Sequence, residues 1–267
     1  MTYSITKVKP FVKWVGGKRS VLPHLLQRLP QTYTTYHEPF LGGGALYFAL
    51  QSKTAYLSDI NPKLILTYMV VKSDIDELVR QLHNHKINHN KEYYLQMRAE
   101  FGNETDATKI ASKLIYLNKT GFNGLYRVNK SGGYNVPMGK YKNPSILEEN
   151  NLRLISTLLQ STNIKTDSFT NITPASQQFY YMDPPYHTTF SDYDKSDFKE
   201  DQHKLLALKC EEINNKGAYF MLSNSDTPFV RNLYKNFNIE QISAKRSVSC
   251  KASTRKREDE LIIRNYT

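Results

Sequence analysis

The chain has 267 residues, with 36 lysines and arginines against 25 acids, a formal charge of +11 and a pI near 9.4. At 39% hydrophobic and 12% aromatic it reads as globular rather than disordered, and long enough for one large α/β domain or a core domain with an insertion. The cationic surplus favours a polyanionic partner, nucleic acid before anionic membrane, and no apolar run approaches the roughly 20 residues that span a bilayer.

Met1 to Ile5 carry no signal-peptide core, so a cytoplasmic protein is expected. Phe11-Val12-Lys13-Trp14-Val15-Gly16-Gly17-Lys18-Arg19 sets the only tryptophan beside a Gly-Gly turn flanked by lysines. Such a turn lets backbone approach a ligand, Trp14 can cover an aromatic or cationic group, and Lys18 can meet a carboxylate or phosphate. A plain surface turn is the alternative. A P-loop is excluded, because neither Ser nor Thr follows Lys18 directly.

Ser20 to Leu29 has the pattern of a short amphipathic helix closed by Pro30. Tyr33 to Phe40 is strand-like and leads through Leu41-Gly42-Gly43-Gly44-Ala45 into a helix from about Ala45 to Gln51. Strand, glycine turn and helix bring a nucleoside against a helix N-terminus. The spacing is not Gly-x-Gly-x-x-Gly, so no pyrophosphate is specifically called for, and a dinucleotide enzyme is disfavoured. The next strand, Ala55 to Ser58, ends at Asp59, about twenty residues after the turn, placed to accept from ribose hydroxyls or simply to cap a helix.

From Pro62 to about Leu147 the character changes. Helical patterns run from about Pro62 to His83, Lys91 to Glu100 and Ala107 to Asn118. His83, His85 and His89 have no cysteine partners and read as a solvated face. The two cysteines, Cys210 and Cys250, support neither a disulfide framework nor a zinc site. Asn118 to Lys142 then mixes amides, aromatics, glycines and cations, with a hairpin-like tip at Asn129-Lys130-Ser131-Gly132-Gly133. Arginine and asparagine there can read base edges while aromatics wedge into a stack; a structural loop is the alternative.

A helix from about Ile146 to Gln160 precedes a strand, Asn163 to Thr166, which ends at Asp167-Ser168-Phe169. The apolar run Phe179-Tyr180-Tyr181-Met182 then predicts a buried strand stopped by Asp183-Pro184-Pro185-Tyr186. Two prolines hold the Asp183 carboxylate and nearby carbonyls stiffly at a strand's carboxyl end. Asp183 and the Pro184 carbonyl only accept hydrogen bonds, which suits an exocyclic amine on a planar ring, and Tyr186 offers that ring a stacking face. A tight turn is the bland reading of the same residues. A polar aromatic loop, His187 to Phe198, is followed by a helix from about Lys199 to Asn215. The buried strand Ala218 to Leu222 meets Ser223-Asn224-Ser225-Asp226, and two strands, Phe237 to Ile242 and Glu260 to Arg264, flank a basic hairpin, Lys245 to Arg257. The alternation predicts a mostly parallel, doubly wound α/β sheet.

Taken together, Lys13-Trp14-Val15-Gly16-Gly17-Lys18, Glu38-Pro39-Phe40-Leu41-Gly42-Gly43-Gly44, Ser58-Asp59-Ile60-Asn61, Gly121 to Gly139, Asp183 to Tyr186 and the tail resemble the Dam-type DNA adenine-N6 methyltransferases over nearly the whole chain. The resemblance implies a Rossmann-like methyltransferase sheet whose catalytic domain comprises residues 1–61 and 148–267. Residues 62–147 would be an inserted, mainly helical target-recognition domain carrying a β-hairpin. It implies S-adenosylmethionine as cofactor, contacted by Trp14, Lys18, Glu38, Phe40, Gly42, Gly44, Asp59, Asp167, Phe169 and Asp183.

The same resemblance implies catalysis by Asp183, Pro184, Pro185 and Tyr186 on an adenine flipped from duplex DNA, with GATC as the site. Phe122 and Asn123 would sit at the opened base step, Leu125, Arg127 and Pro137 would face the bases, and Lys13 would touch DNA or cofactor. The loop after Tyr186 looks shorter than in many relatives, leaving open which of Phe190, Tyr193 or Phe198 closes over the base. No metal is expected, because the leaving thioether is neutral, and a separately encoded restriction endonuclease is a possible partner. An RNA or protein amino-group methyltransferase and a non-catalytic DNA-binding relative are the alternatives.

Overall fold

The computed structural model describes residues 8–129, 131–187, 198–244 and 258–267. Phe190, Tyr193, Cys250 and the basic stretch 245–257 lie outside the described residues. The strands β1 (Tyr36–Glu38), β2 (Ala55–Asp59), β3 (Thr162–Thr166), β4 (Phe179–Met182), β5 (Tyr219–Ser225), β6 (Asn238–Ala244) and β7 (Glu258–Arg264) form a seven-stranded sheet in the order β3-β2-β1-β4-β5-β7-β6. β2, β1, β4 and β5 run parallel, while β7 is antiparallel to both β5 and β6. This is a mixed α/β chain with a mostly parallel sheet, as expected for a Rossmann-like methyltransferase fold.

The helices are α1 (Leu22–Leu26), α2 (Ala45–Leu50), α3 (Pro62–Ser73), α4 (Ile75–Ile87), α5 (Lys91–Glu100), α6 (Ala107–Thr120), α7 (Glu149–Leu159), α8 (Glu200–Asn215) and α9 (Pro228–Leu233). Among the described residues no helix is long and apolar enough to cross a membrane. The chain divides into two compact units, one of Met1–Gly17, Gly42–Gln51 and Asn61–Thr166, the other of Lys18–Leu41, Ser52–Ile60 and Asp167–Thr267.

In the second unit every residue of β4 is buried, so the strand reads as an unbroken apolar run rather than an alternating one. Tyr180 pairs in register with Phe220 and Met182 with Leu222. These four share a core with Leu206, Cys210 and Ile213 of α8 and with Leu261 and Ile263 of β7. Strand order reverses between β1 and β4, the point at which an open sheet forms a ligand crevice beyond its carboxyl ends. Glu38 closes β1 and Asp183 follows β4, so the two acids flank that point.

The first unit is built around α6, which is buried from Ile110 through Thr120 on every side and packs on α3, α4 and α5. Asn61, Asn90 and Asp106 cap α3, α5 and α6 by accepting from backbone amides two or three residues on. The pattern expected to run from Pro62 to His83 is two helices instead, broken at Asp74, whose φ of −141° is not helical. The Ser73 hydroxyl donates back to the Met69 carbonyl at 2.8 Å, and Asp76 and Glu77 favour a new helix N-terminus there. α9 was not expected, although Thr227 followed by Pro228 is a cap and first-turn signature.

The reading of His83, His85 and His89 as a solvated face fails at His85. That ring is buried, stacked on Tyr116 with centroids 4.9 Å apart, and hydrogen-bonded to the Tyr93 and Ser112 hydroxyls at 2.8 and 3.2 Å. His89 also reaches α6, its Nδ1 2.9 Å from the Tyr116 hydroxyl, so of the three only His83 is exposed. Burial holds the His85 pKa down at about 4.

Candidate active site and nucleic-acid interface

In the second unit, the end of β4 delivers Asp183 beside Lys18. The Lys18 Nζ lies 2.8 Å from Asp183 Oδ1 and 4.7 Å from the centre of the Tyr186 ring. Lys18 is buried, whereas the Asp183 side chain keeps 18% of its surface open. Burial raises the Asp183 pKa to about 6, with Lys18 pulling it down and the Glu260 carboxylate pushing it up. Pro184 is buried and Pro185 exposed, as a turn leaving a strand requires.

Tyr186 donates its hydroxyl to Glu260 Oε2 at 2.9 Å. The end of β5 holds the next residue, with Asn224 Oδ1 accepting from the His187 amide at 3.1 Å and the Ser225 hydroxyl donating to the His187 carbonyl. Beneath them, Tyr181 and Ser223 hydroxyls meet at 3.1 Å, and Tyr36 donates to Glu38 Oε2 at 2.7 Å. Sequence reasoning missed Glu260. Its only signal was an acid opening the otherwise apolar run Leu261-Ile262-Ile263.

The remaining acidic candidates of this unit also lie at strand ends. Asp59 closes β2, and its carbonyl accepts from the Asp167 amide at 3.2 Å. Asp167 Oδ1 accepts from the Ser168 amide and the Asn171 side chain. Phe40 and Phe169 stack with centroids 5.4 Å apart, and Phe198 packs edge-on against Phe40. Phe198 thus joins this aromatic cluster. Glu38, Asp59, Asp167 and Asp183 are acceptors, and the aromatic pair is a flat apolar surface. That donor-poor set fits a cationic ligand carrying hydroxyls and an aromatic ring.

The other cofactor candidates, Trp14, Gly42 and Gly44, lie in the first unit. Gly42 has φ +46°, and a Cβ there would stand 2.7 Å from Trp14 Cδ1, so the indole lies directly on the glycine turn. Gly44 takes a left-handed conformation as the cap of α2. The indole also stacks on Tyr126, centroids 5.5 Å apart and planes 29° from parallel. Tyr126 was not singled out from sequence.

The DNA candidates are gathered in the same unit. The segment after α6 folds back on itself through antiparallel bridges, Gly121 with Met138 and Val128 with Tyr134. The Phe122 amide donates to the Pro137 carbonyl at 2.8 Å, and the Leu125 carbonyl accepts from the Tyr134 hydroxyl at 2.6 Å. Phe122 is 40% exposed, and Asn123 is held at φ +53°. Arg127 is aimed by Asn135, donating to its Oδ1 at 2.7 Å and its carbonyl at 3.0 Å. Lys13 joins this group through Asn118, which accepts from the Lys13 amide and donates to the Lys13 and Gly124 carbonyls at 2.7–2.8 Å. The Lys13 Nζ lies 4.3 Å from the centre of the Tyr141 ring. Asn118, Asn135 and Tyr141 are supporting residues that no spacing rule points to.

Residues 14–248 match the D12 class N6 adenine-specific DNA methyltransferase family. The chain is 40% identical to the Type II methyltransferase M.MjaIII of Methanocaldococcus jannaschii, covering 97% of this chain and 100% of that protein. It is 37% identical to the Type II methyltransferase M1.LlaDCHI of Lactococcus lactis subsp. cremoris, over 97% of this chain and 96% of the relative. With the DNA adenine methylase of Escherichia coli (strain K12) the identity is 32%, over 96% and 95%.

Proposed function

The chain belongs to the D12 class N6 adenine-specific DNA methyltransferases, and from that premise we propose that it methylates the N6 amine of an adenine flipped from duplex DNA, within GATC, using S-adenosylmethionine. The observation that carries this reading is the Lys18 ammonium itself, held 2.8 Å from Asp183 and 4.7 Å over the Tyr186 ring. An amine on a flat ring needs those two contacts, an acceptor for its hydrogens and a stacking face.

S-adenosylmethionine supplies a methyl group on a cationic sulfur, which departs as a neutral thioether. Lys18, Glu38, Phe40, Asp59, Asp167, Phe169 and Asp183 would hold it in the second unit, and the family resemblance adds Trp14, Gly42 and Gly44 as candidates. Asp183 and the Pro184 carbonyl draw on the amine hydrogens and direct the nitrogen lone pair. Tyr186 stacks on the base, and Pro185 with Pro184 keeps the acceptors from swinging away. As the N–C bond forms, the nitrogen becomes cationic and then sheds one proton. The Asp183 carboxylate stabilises that charge and is placed to receive the proton.

Residues 62–147 act in this reading as the target-recognition domain. Phe122 and Asn123 occupy the opened step, Leu125, Arg127 and Pro137 read base edges, and Lys13 and the basic stretch 245–257 bind phosphates. The protein works in the cytoplasm, alone or beside a restriction endonuclease encoded separately. The test is methyl transfer from labelled cofactor to duplexes differing at one base of GATC. Asp183→Ala is expected to abolish transfer while leaving cofactor and DNA binding partly intact. Transfer to RNA or protein, or near-normal turnover by Asp183→Ala, overturns the proposal.

A further inference from the structure

The geometry points to Glu260 as a positioning residue that locks the Tyr186 ring in the plane the target base must meet, an assignment that rests on the proposed reading of this site. Glu260 lies on β7 opposite Ser225 of β5. The antiparallel pair therefore grips the segment after Asp183 from two strands. β5 holds the backbone of His187 through Asn224 and Ser225, and β7 holds the far end of the preceding side chain, Tyr186 Oη, through Glu260. With its following backbone and its hydroxyl both fixed, the ring cannot swing without breaking a hydrogen bond to a carboxylate, about twice as strong as a neutral one.

A merely structural role fits these observations less well. Glu260 is 7% exposed, and burying a carboxylate carries a desolvation cost that a phenylalanine over a leucine would avoid. The charge also reaches the reacting group, since Glu260 raises the pKa of Asp183. Both effects act where a base amine turns cationic.

The experiment compares the full-length protein with Tyr186→Phe, Glu260→Leu, their double variant and Glu260→Gln. Three quantities are measured: the single-turnover methylation rate on a GATC duplex, its pH profile, and the separate Kd values for that duplex and for S-adenosylhomocysteine. Tyr186→Phe and Glu260→Leu are each expected to slow the rate about tenfold or more with both Kd values within about twofold, and the double variant to be no slower than the slower single. Glu260→Gln, which still accepts from the phenol, recovers most of that loss and moves the acid limb of the profile to lower pH. Additive losses in the double variant overturn the inference, as does a Glu260→Gln rate no better than that of Glu260→Leu. If Glu260→Leu fails to fold, Tyr186→Phe decides, because a normal rate without the hydroxyl overturns the anchor. Wild-type protein that methylates no duplex would instead overturn the proposed function.

Discussion

The indole of Trp14 stacks on the ring of Tyr126, centroids 5.5 Å apart, and also lies against the turn at Gly42, where a Cβ would stand 2.7 Å from its Cδ1. Because Trp14 is the only tryptophan, its emission reports on that stack directly. Tyr126→Ala opens one side of the indole to water, so emission shifts to the red and S-adenosylhomocysteine binding weakens several-fold. Tyr126→Phe keeps both. A fluorescence titration checks this, and unchanged emission in Tyr126→Ala would show that the stack does not persist in solution.

If Asp183 acts as proposed, its ionisation is expected to set an acid limit on turnover. Its pKa stands at about 6, raised above the ordinary carboxylate value by burial, and only the ionised form is purely an acceptor towards the amine. The methylation rate therefore falls as pH drops through about 6 and levels off above it. Lys18 holds this pKa down, so Lys18→Met moves the limb to higher pH. A single-turnover pH series on both proteins reads the shift, and a limb that stays put removes Lys18 from the account.

Gly124 has φ +64°, and a Cβ there would stand 2.5 Å from Lys13 Cβ. Gly124→Ala meets both the backbone strain and the collision, and is expected to cost about 1–3 kcal/mol. Urea denaturation measures it. A loss confined to a few tenths would mean that the segment moves off Lys13 without cost.

Arg127→Ala is expected to lose about 1–3 kcal/mol of discrimination at one base pair. Asn135→Ala removes the Oδ1 that helps aim the guanidinium but leaves the backbone carbonyl in place, so it loses less, at the same base pair. Binding to single-substitution duplexes tests both. Equal weakening on every sequence makes Arg127 a phosphate contact.

His85 is buried neutral with a pKa of about 4, below its unfolded value of about 6.5. Between those values the unfolded chain binds more protons, so stability is intact above pH 6.5 and is lost as pH falls towards 4. His85→Gln flattens that stretch of the stability curve, and denaturant midpoints at pH 4.5 and 7 compare the two proteins. Parallel curves would assign the acid loss to other groups, such as His37 and His203, whose pKa values burial also lowers to about 4.

By itself the sequence determined the apolar run of β4, the acid and prolines that stop it, the glycine turn before α2, and the alternation that makes a mostly parallel sheet. These are local or periodic properties, and period and backbone sterics are written in adjacent residues. The tertiary structure alone decided what stands against them. Glu260 reaches Tyr186 across 74 residues, and Asn118 joins Lys13 across 105. His85 turned inward because α6 offered Tyr116 and Ser112 at the right height. Such partnerships depend on which elements pack together, and no spacing along one segment records the identity of its neighbour.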